Sequence, residues 1–188
     1  ETVKKIVTAS LRLNIPIITF YVFSSENWKR PKKERSYLFK LIKSYFSKEI
    51  GSIIKQGIKL QVLGEVKKFS TDLKLVLKKS TQLTKKNKKI IVNLAINYGS
   101  RTEILKAVKR SRNNLSIKNI GRNLYTKKMP DPDILIRTGG YQRLSNFLLW
   151  QLAYTELFFF KKLWPDFNSN DLFKVIRQYK KIKRNYGN

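Results

Sequence analysis

The sequence predicts an α/β domain with a mostly parallel central sheet flanked by helices. Short apolar runs typical of buried strands alternate along the chain with longer segments of helical periodicity, which is the pattern of that class. The 188 residues suit a single domain, and an apolar share of 41% is enough for a core. Neither the G-x-G-x-x-G nor the P-loop pattern occurs, so the nucleotide-binding versions of this architecture are not supported.

The first half of the chain alternates helix and strand. Residues 15–23 form a near-continuous apolar run, which predicts a strand buried on both faces. Apolar residues at helical spacing from Tyr37 to Ile54 predict a long amphipathic helix that Gly57 ends. The predicted elements are helices over 2–13, 32–56 and 71–86 and strands over 15–23 and 58–63.

The second half continues the alternation. Ile134-Leu135-Ile136 lies between Pro132 and a Thr-Gly-Gly turn, as expected of a short buried strand. Ser145-Asn146 can cap a following helix, and Ser169 can cap the last one. The predicted elements are strands over 89–97, 133–137 and 157–160, helices over 101–111, 146–154 and 170–184, and a looser stretch over 113–129.

The turn after the strand at 133–137 carries the strongest functional signal. Two glycines follow Arg137, and Arg143 and Ser145 come next. Exposed backbone N–H groups at such a turn and at a helix start form an anion site. The two arginines add forked donors suited to phosphate oxygens. Two solvated arginines beside an ordinary turn are the alternative, but the spacing of both arginines and the serine favours a phosphate site.

Composition excludes several chemistries. The chain has no cysteine and no histidine, which rules out disulfides, thiolate chemistry, Ser-His-Asp triads and histidine-metal sites. The net charge of +29 comes from lysines spread through every segment, so nucleic-acid binding is not favoured. The charge can still attract anionic substrates or anionic lipid surfaces. No run approaches the roughly 20 apolar residues of a membrane span.

Several blocks resemble the cis-prenyltransferases, the undecaprenyl diphosphate synthase family. They occur in the order of that family and extend over almost the whole chain. The blocks are Phe23 to Pro31, Asn97-Tyr98-Gly99, Asp133 to Asn146, Asn146 to Gln151, Ala153 to Leu157, and Leu163-Trp164-Pro165-Asp166-Phe167.

The resemblance implies roles for matching residues. Asn27 would be the catalytic residue, positioning or deprotonating isopentenyl diphosphate, and Glu156 would be a Mg²⁺ ligand. An allylic substrate site would be formed by Ser24, Ser25, Glu26, Trp28 and Arg30, and the diphosphate of isopentenyl diphosphate would be held by Arg137, Arg143, Leu144 and Ser145. By residue type alone, Asn27 could be a turn residue, Trp28 a packing residue and Glu156 half of a structural ion pair.

The resemblance also implies a reaction. Isopentenyl diphosphate units would be added, with Mg²⁺, to an allylic diphosphate such as farnesyl diphosphate, giving a long-chain polyprenyl diphosphate. The chain would grow in an apolar tunnel walled by the helix at 32–56 and the strands at Ile58 and Ile90. We expect a homodimer with residues 157–160 at its interface, in the cytoplasm or plastid stroma or peripheral to a membrane, without nucleic acid. A non-catalytic or partner-dependent subunit of the same fold and a basic RNA-binding module are the alternatives.

Three departures from the family pattern are visible. The family's first strand and its Asp-Gly-Asn-Gly-Arg-Trp loop, which supplies a Mg²⁺-binding aspartate, precede the point that corresponds to Glu1. We therefore expect residues 1–188 to be a truncated chain with little or no activity by itself. Tyr141 stands where the family has Glu, and Ser100 where it has Gly. We expect Tyr141 to alter the rim of the site or the subunit contacts.

Overall fold

The computed structural model describes residues 1–183. The chain divides into two compact units, a middle unit (Asn14–Glu103) and a terminal unit (Glu1–Leu13 with Ile104–Asn188). Its elements are α1 (Thr2–Arg12), β1 (Ile17–Ser24), a first 3₁₀ helix (Ser25–Lys29), α2 (Lys32–Lys55), β2 (Ile58–Leu63), α3 (Thr71–Leu83), β3 (Ile90–Tyr98), α4 (Ser100–Arg110), α5 (Ile117–Asn123), β4 (Ile134–Arg137), β5 (Glu156–Phe159), a second 3₁₀ helix (Trp164–Asp166) and α6 (Ser169–Tyr179). In this part of the chain, none of the helices has the length and apolar character needed to cross a bilayer.

The middle unit is built on a parallel three-stranded sheet in the order β1-β3-β2. Ile17 pairs with Ile91, and Ile58 pairs with Ile90. The central strand β3 is the doubly buried one, whereas β1 is half-buried along most of its length. The prediction that residues 15–23 are buried on both faces is therefore wrong, because successive side chains of β1, which point to opposite faces of the sheet, are only half-buried.

The helices of the middle unit bury a narrower face than the sequence predicted. On α2 the buried apolar residues are Ile42, Phe46 and Ile53, while Tyr37 and Leu41 are exposed. The third helix ends at Leu83 rather than at Lys86, and Leu83 is exposed. Apolar periodicity thus located both helices but overestimated how much of each faces the core.

The terminal unit contains a parallel pair of strands, β4 and β5, with Ile134 opposite Glu156 and Arg137 opposite Phe159. The helices α1 and α6 contact each other. Asn168, rather than the predicted Ser169, caps α6 by accepting hydrogen bonds from the backbone N–H groups of Asn170 and Asp171. The helix ends at Tyr179, and the predicted end at Arg184 lies outside the described residues.

The helix predicted over 146–154 is wrong. This segment is a series of turns in which Ser145, Asn146 and Leu148 have positive φ angles of 50°, 62° and 46°. Left-handed residues cannot start a right-handed helix, so the segment follows an irregular path although its apolar content suits a helix. In the stretch predicted to be loose, the short helix α5 is present and is capped by Ser116.

Candidate functional site

The terminal unit brings Arg137, Arg143 and Ser145 together, as the sequence predicted. Arg137 is the last residue of β4, and ligands of parallel sheets bind beyond the carboxyl ends of strands. Its Nη1 donates to Ser145 Oγ over 2.9 Å and also to the backbone oxygen of Arg143. The loop that follows β4 therefore folds back onto Arg137 and places a second arginine beside it.

The two guanidinium groups are close enough to affect each other. Burial, and then the charge of Arg143, lower the pKa of Arg137, whereas Tyr141 opposes this shift. Arginine nevertheless remains charged in proteins. Both cations therefore persist in one small loop, and a bound anion would relieve their repulsion.

The backbone at the Gly139-Gly140 turn contradicts part of the prediction. Gly139 N–H donates to the carbonyl oxygen of Lys162 over 2.7 Å, and Gly140 N–H donates to that of Phe160 over 2.9 Å. These two N–H groups are thus used within the protein and are not exposed to an anion. Because the predicted helix is also missing, its N-terminus contributes nothing here. The predicted contribution of these glycines and of the helix start to anion binding is therefore wrong, and the arginine side chains carry the candidate site.

Glu156 and Arg137 lie at opposite ends of the β4–β5 pair. Glu156 begins β5 opposite Ile134, three positions before Phe159, which lies opposite Arg137. At about 3.3 Å per residue this separates the two ends of the pair by about 10 Å. Among the described residues, no group of three or more acidic side chains could hold a metal ion. A single half-exposed carboxylate suits Mg²⁺ completed by phosphate oxygens and water better than a protein cage.

In the middle unit, Ser24 and Asn27 hold each other in place. Ser24 Oγ accepts from the backbone N–H of Asn27 over 3.2 Å, and Asn27 Oδ1 accepts from the backbone N–H of Ser24 over 3.0 Å. This capping box starts the 3₁₀ helix at Ser25, whose hydroxyl donates to Glu26 Oε2 over 3.1 Å. Asn27 therefore has the turn-forming role that its residue type allowed, while its catalytic role stays a prediction.

Trp28 packs into an aromatic cluster of the middle unit. Its ring centroid lies 5.4 Å, 5.7 Å and 5.6 Å from those of Phe23, Phe39 and Phe69. Its Nε1 donates to Asn97 Oδ1 over 2.7 Å. These contacts agree with the packing alternative for Trp28. They do not test a substrate role.

Two contacts of this region were not predicted from the sequence. The guanidinium of Arg35, on α2, lies 5.2 Å from the Trp28 ring centroid, a distance that fits a cation–π contact. Asn97 Nδ2 donates to the backbone oxygen of Glu65 over 2.7 Å, so Asn97 links Trp28 to the segment after β2. Arg30 is exposed. No local sequence signal could have revealed the contacts of Asn97, because its partners lie 69 and 32 residues away.

Parallel sheets and an arginine cluster at the carboxyl end of a strand define the class of this chain, an α/β protein with a candidate anion site. The prenyltransferase family model, described as undecaprenyl diphosphate synthase, matches residues 1–187. The chain therefore belongs to the undecaprenyl diphosphate synthase family.

Relatives and solved structures agree with this assignment. The isoprenyl transferase of Rickettsia felis is 43% identical over 191 residues, covering 100% of this chain and 81% of the relative. The isoprenyl transferase of Clostridium perfringens is 40% identical over 197 residues, covering 100% of this chain and 78% of the relative. A probable undecaprenyl diphosphate synthase from Campylobacter jejuni superposes with a TM-score of 0.92 at 31% identity, covering 100% of this chain and 90% of that one. Lavandulyl diphosphate synthase from Lavandula x intermedia, solved with dimethylallyl diphosphate, superposes with a TM-score of 0.95 at 29% identity, covering 100% of this chain and 85% of that one.

Proposed function

We propose that this prenyltransferase condenses isopentenyl diphosphate with an allylic diphosphate such as farnesyl diphosphate and extends it to a long-chain polyprenyl diphosphate. The observation that carries the proposal is the joining of Arg137, Arg143 and Ser145 in the loop after β4. Charge-assisted hydrogen bonds from guanidinium groups are among the strongest available to a diphosphate. Membership of the family supports prenyl transfer in general.

Each side chain of this loop has a distinct task in the proposal. Arg137 is oriented by its two internal hydrogen bonds, and Arg143 is exposed and can meet the diphosphate of isopentenyl diphosphate. The hydroxyl of Ser145 accepts from Arg137 and would help to hold the diphosphate. Glu156 would hold Mg²⁺ together with diphosphate oxygens. When bound, Mg²⁺ would neutralise diphosphate charge. The group that departs in the condensation is the diphosphate of the allylic substrate, while that of isopentenyl diphosphate stays in the product.

The middle unit would serve the allylic substrate and the growing chain. Asn27 would position isopentenyl diphosphate, and residues 24–30 would contact the allylic partner. Tyr37 and Leu41 lie one turn apart on α2 and are 66% and 48% exposed, which supports α2 as an apolar wall. Exposed apolar side chains in that position can be covered by a prenyl chain at a gain of about 25 cal/mol per Å² of apolar surface buried.

The terminal unit would supply the interface of a homodimer. Leu157 and Phe159 are exposed on β5, and burying them against a second copy would remove apolar surface from water. Chemical cross-linking of the wild type and of a Leu157→Asp variant tests the interface. The assignment of residues 157–160 to the interface is wrong if the aspartate leaves the dimer intact.

We further propose a cytoplasmic or plastid-stromal protein that contacts the membrane through its lipid product.

The diphosphate site is tested by removing its arginines one at a time. In Arg137→Ala and Arg143→Ala, the loss of a charge-assisted contact should weaken isopentenyl diphosphate binding by about 1.5–3 kcal/mol, or about 10- to 150-fold. Isothermal titration calorimetry measures the dissociation constant, and thermal unfolding checks the fold. Arg122→Ala, on α5 of the same unit, removes an equal charge from an exposed site and is the control. Binding by both variants as tight as in Arg122→Ala would refute the assignment.

A further inference from the structure

Tyr141 lies against both arginines of the loop after β4. The guanidinium carbon of Arg143 is 4.2 Å from the centroid of the Tyr141 ring, and that of Arg137 is 6.0 Å from it. Both distances are within the range of cation–π attraction. Tyr141 is 56% exposed, so burial in the core does not explain its position. The contacts that the structure shows for this side chain are those with the two guanidinium groups.

The ring offers the two cations something that a carboxylate could not. The face of an aromatic ring is electronegative, yet the side chain is uncharged, so it attracts a guanidinium without cancelling its charge. A guanidinium that stacks on a ring keeps the N–H groups of its planar edge available for an acceptor. A carboxylate would instead occupy that edge and neutralise one of the two charges. Tyr141 can therefore fix an arginine while preserving its donors.

We propose that Tyr141 is a positioning residue of the diphosphate site, where its ring holds the Arg143 guanidinium in place and leaves its hydrogen-bonding edge for a phosphate oxygen. This inference rests on the proposed function, since it assigns a role within the same site. Arg137 is already oriented by bonds to Ser145 and to the Arg143 backbone. Arg143 is exposed, and the cation–π contact with Tyr141 is the contact that the structure shows for its guanidinium. The ring should therefore act mainly through Arg143.

The test is a double-mutant cycle with inorganic pyrophosphate as the probe, measured by calorimetry on the full chain. Tyr141→Ala should weaken pyrophosphate binding about two- to fivefold, the size expected for an exposed cation–π contact. Tyr141→Phe keeps the ring and should rescue the affinity lost in Tyr141→Ala. In an Arg143→Ala background, Tyr141→Ala should cause little further loss, because the group on which the ring acts is gone. Phe173→Ala removes another exposed aromatic ring of the terminal unit and should leave binding unchanged.

The inference is overturned if Tyr141→Ala binds pyrophosphate like the wild type, or if its loss is equally large with and without Arg143. A different result would refute the proposed function itself. If the wild type binds pyrophosphate no better than a double variant with Arg137→Ala and Arg143→Ala, this loop is not a diphosphate site.

Discussion

The loops that follow β1 and β4 begin alike and use their polar groups differently. Both leave the carboxyl end of a parallel strand, and both are rich in residues that could bind a ligand. After β1, Ser24 and Asn27 bond each other, and Trp28 bonds Asn97 within an aromatic cluster. After β4, the N–H groups of Gly139 and Gly140 are bonded internally, while Arg143 is exposed.

A polar residue at a strand end is therefore not by itself a binding residue. In the first loop the polar side chains bond within the loop and its surroundings. The second loop is held by the glycine N–H groups and by the Arg137 side chain, which leaves the charge of Arg143 available. We therefore expect substitutions after β1 to change the free energy of unfolding first. Substitutions after β4 should change anion binding first. The predictions below test this contrast, in order of decreasing effect on stability.

The largest expected effect comes from Gly64, which follows β2. It has a φ of +116°, and a Cβ there would lie 2.3 Å from the backbone oxygen of Ile96. Gly64→Ala should lower the free energy of unfolding by about 3–5 kcal/mol, through backbone strain and overpacking together. Gly140→Ala is the matched control after β4, since its φ is +79° but its Cβ would meet nothing within 4 Å. Gly140→Ala should lower the free energy of unfolding by only about 1–2 kcal/mol, which is the cost of the left-handed conformation for alanine. Equal losses in urea unfolding would show that the close approach of Gly64 to Ile96 adds nothing to the cost of the backbone conformation.

Trp28→Ala should have the second-largest effect on stability. It removes a ring that packs on Phe23, Phe39 and Phe69, and we expect a loss of about 3 kcal/mol, the lower end for such a truncation because Trp28 is half-buried. Trp28→Phe keeps most of the packing and loses the bond to Asn97, at a cost of about 1 kcal/mol. Denaturant unfolding measures both. A Trp28→Ala variant with wild-type stability and poor allylic diphosphate binding would show that the first loop is a binding loop instead.

The same contrast explains which parts of the molecule the sequence could predict. Helices and strands set by local periodicity, such as β2 at Ile58–Leu63, were predicted at their observed bounds. The proximity of Arg137, Arg143 and Ser145 was also predictable, because all three lie within nine residues. The use of the glycine N–H groups was not, since their acceptors belong to Phe160 and Lys162.

Errors arose where distant partners or backbone conformation override composition. Apolar residues from Phe147 onward suit a helix, but the left-handed angles of Ser145, Asn146 and Leu148 prevent it. The partners of Trp28 come from α2, β3 and the segment after β2, so its packing could be named as an alternative but not established. Long-range pairing of this kind leaves no periodic trace in one sequence.

A smaller effect is expected at Asp171, which ties α6 to the segment that holds the glycine turn. Asp171 is buried, and Lys162 Nζ donates to both of its carboxylate oxygens over 2.9 Å. Asp171→Asn keeps an acceptor for the N–H of Asn168 but loses the ion pair, at a cost of about 1 kcal/mol because Lys162 is half-exposed. Asp72→Asn breaks the more exposed 3.4 Å pair with Lys43 in the middle unit and should cost less.

The effect of Asp171 should depend on pH in a defined direction. The hydrogen bonds from Lys162, helped by the backbone N–H of Asn168, lower the pKa of Asp171 below its ordinary value in the folded state. A lowered pKa stabilises the fold above the unfolded pKa of about 3.9, and this contribution is lost as the pH falls through the folded pKa. The stability difference between wild type and Asp171→Asn should therefore be constant at neutral pH and shrink below about pH 4. A difference that grows on acidification would contradict the assignment.

Glu156 provides the smallest expected change in stability and a sharp test of its role. It begins β5, and its backbone N–H donates to the oxygen of Asp133 whatever its side chain is. Glu156→Gln keeps the volume and the strand pairing and removes the charge. If Glu156 is a Mg²⁺ ligand, the variant should keep its melting temperature and need more Mg²⁺ for half-maximal binding of isopentenyl diphosphate, because a neutral amide binds the ion weakly. Asp166→Asn removes an exposed carboxylate from the same unit and controls for charge alone.

A structural ion pair predicts the reverse for Glu156. The variant would then melt at a lower temperature and respond to Mg²⁺ as the wild type does. The register of β4 and β5 makes this comparison informative, because it places Glu156 about 10 Å along the strand pair from Arg137. A carboxylate at that end can share a ligand with the arginines only if the ion and a diphosphate together cover the distance. An unchanged Mg²⁺ response with a lowered melting temperature would show that Glu156 has a structural role. The two arginines would then bind their anion without it.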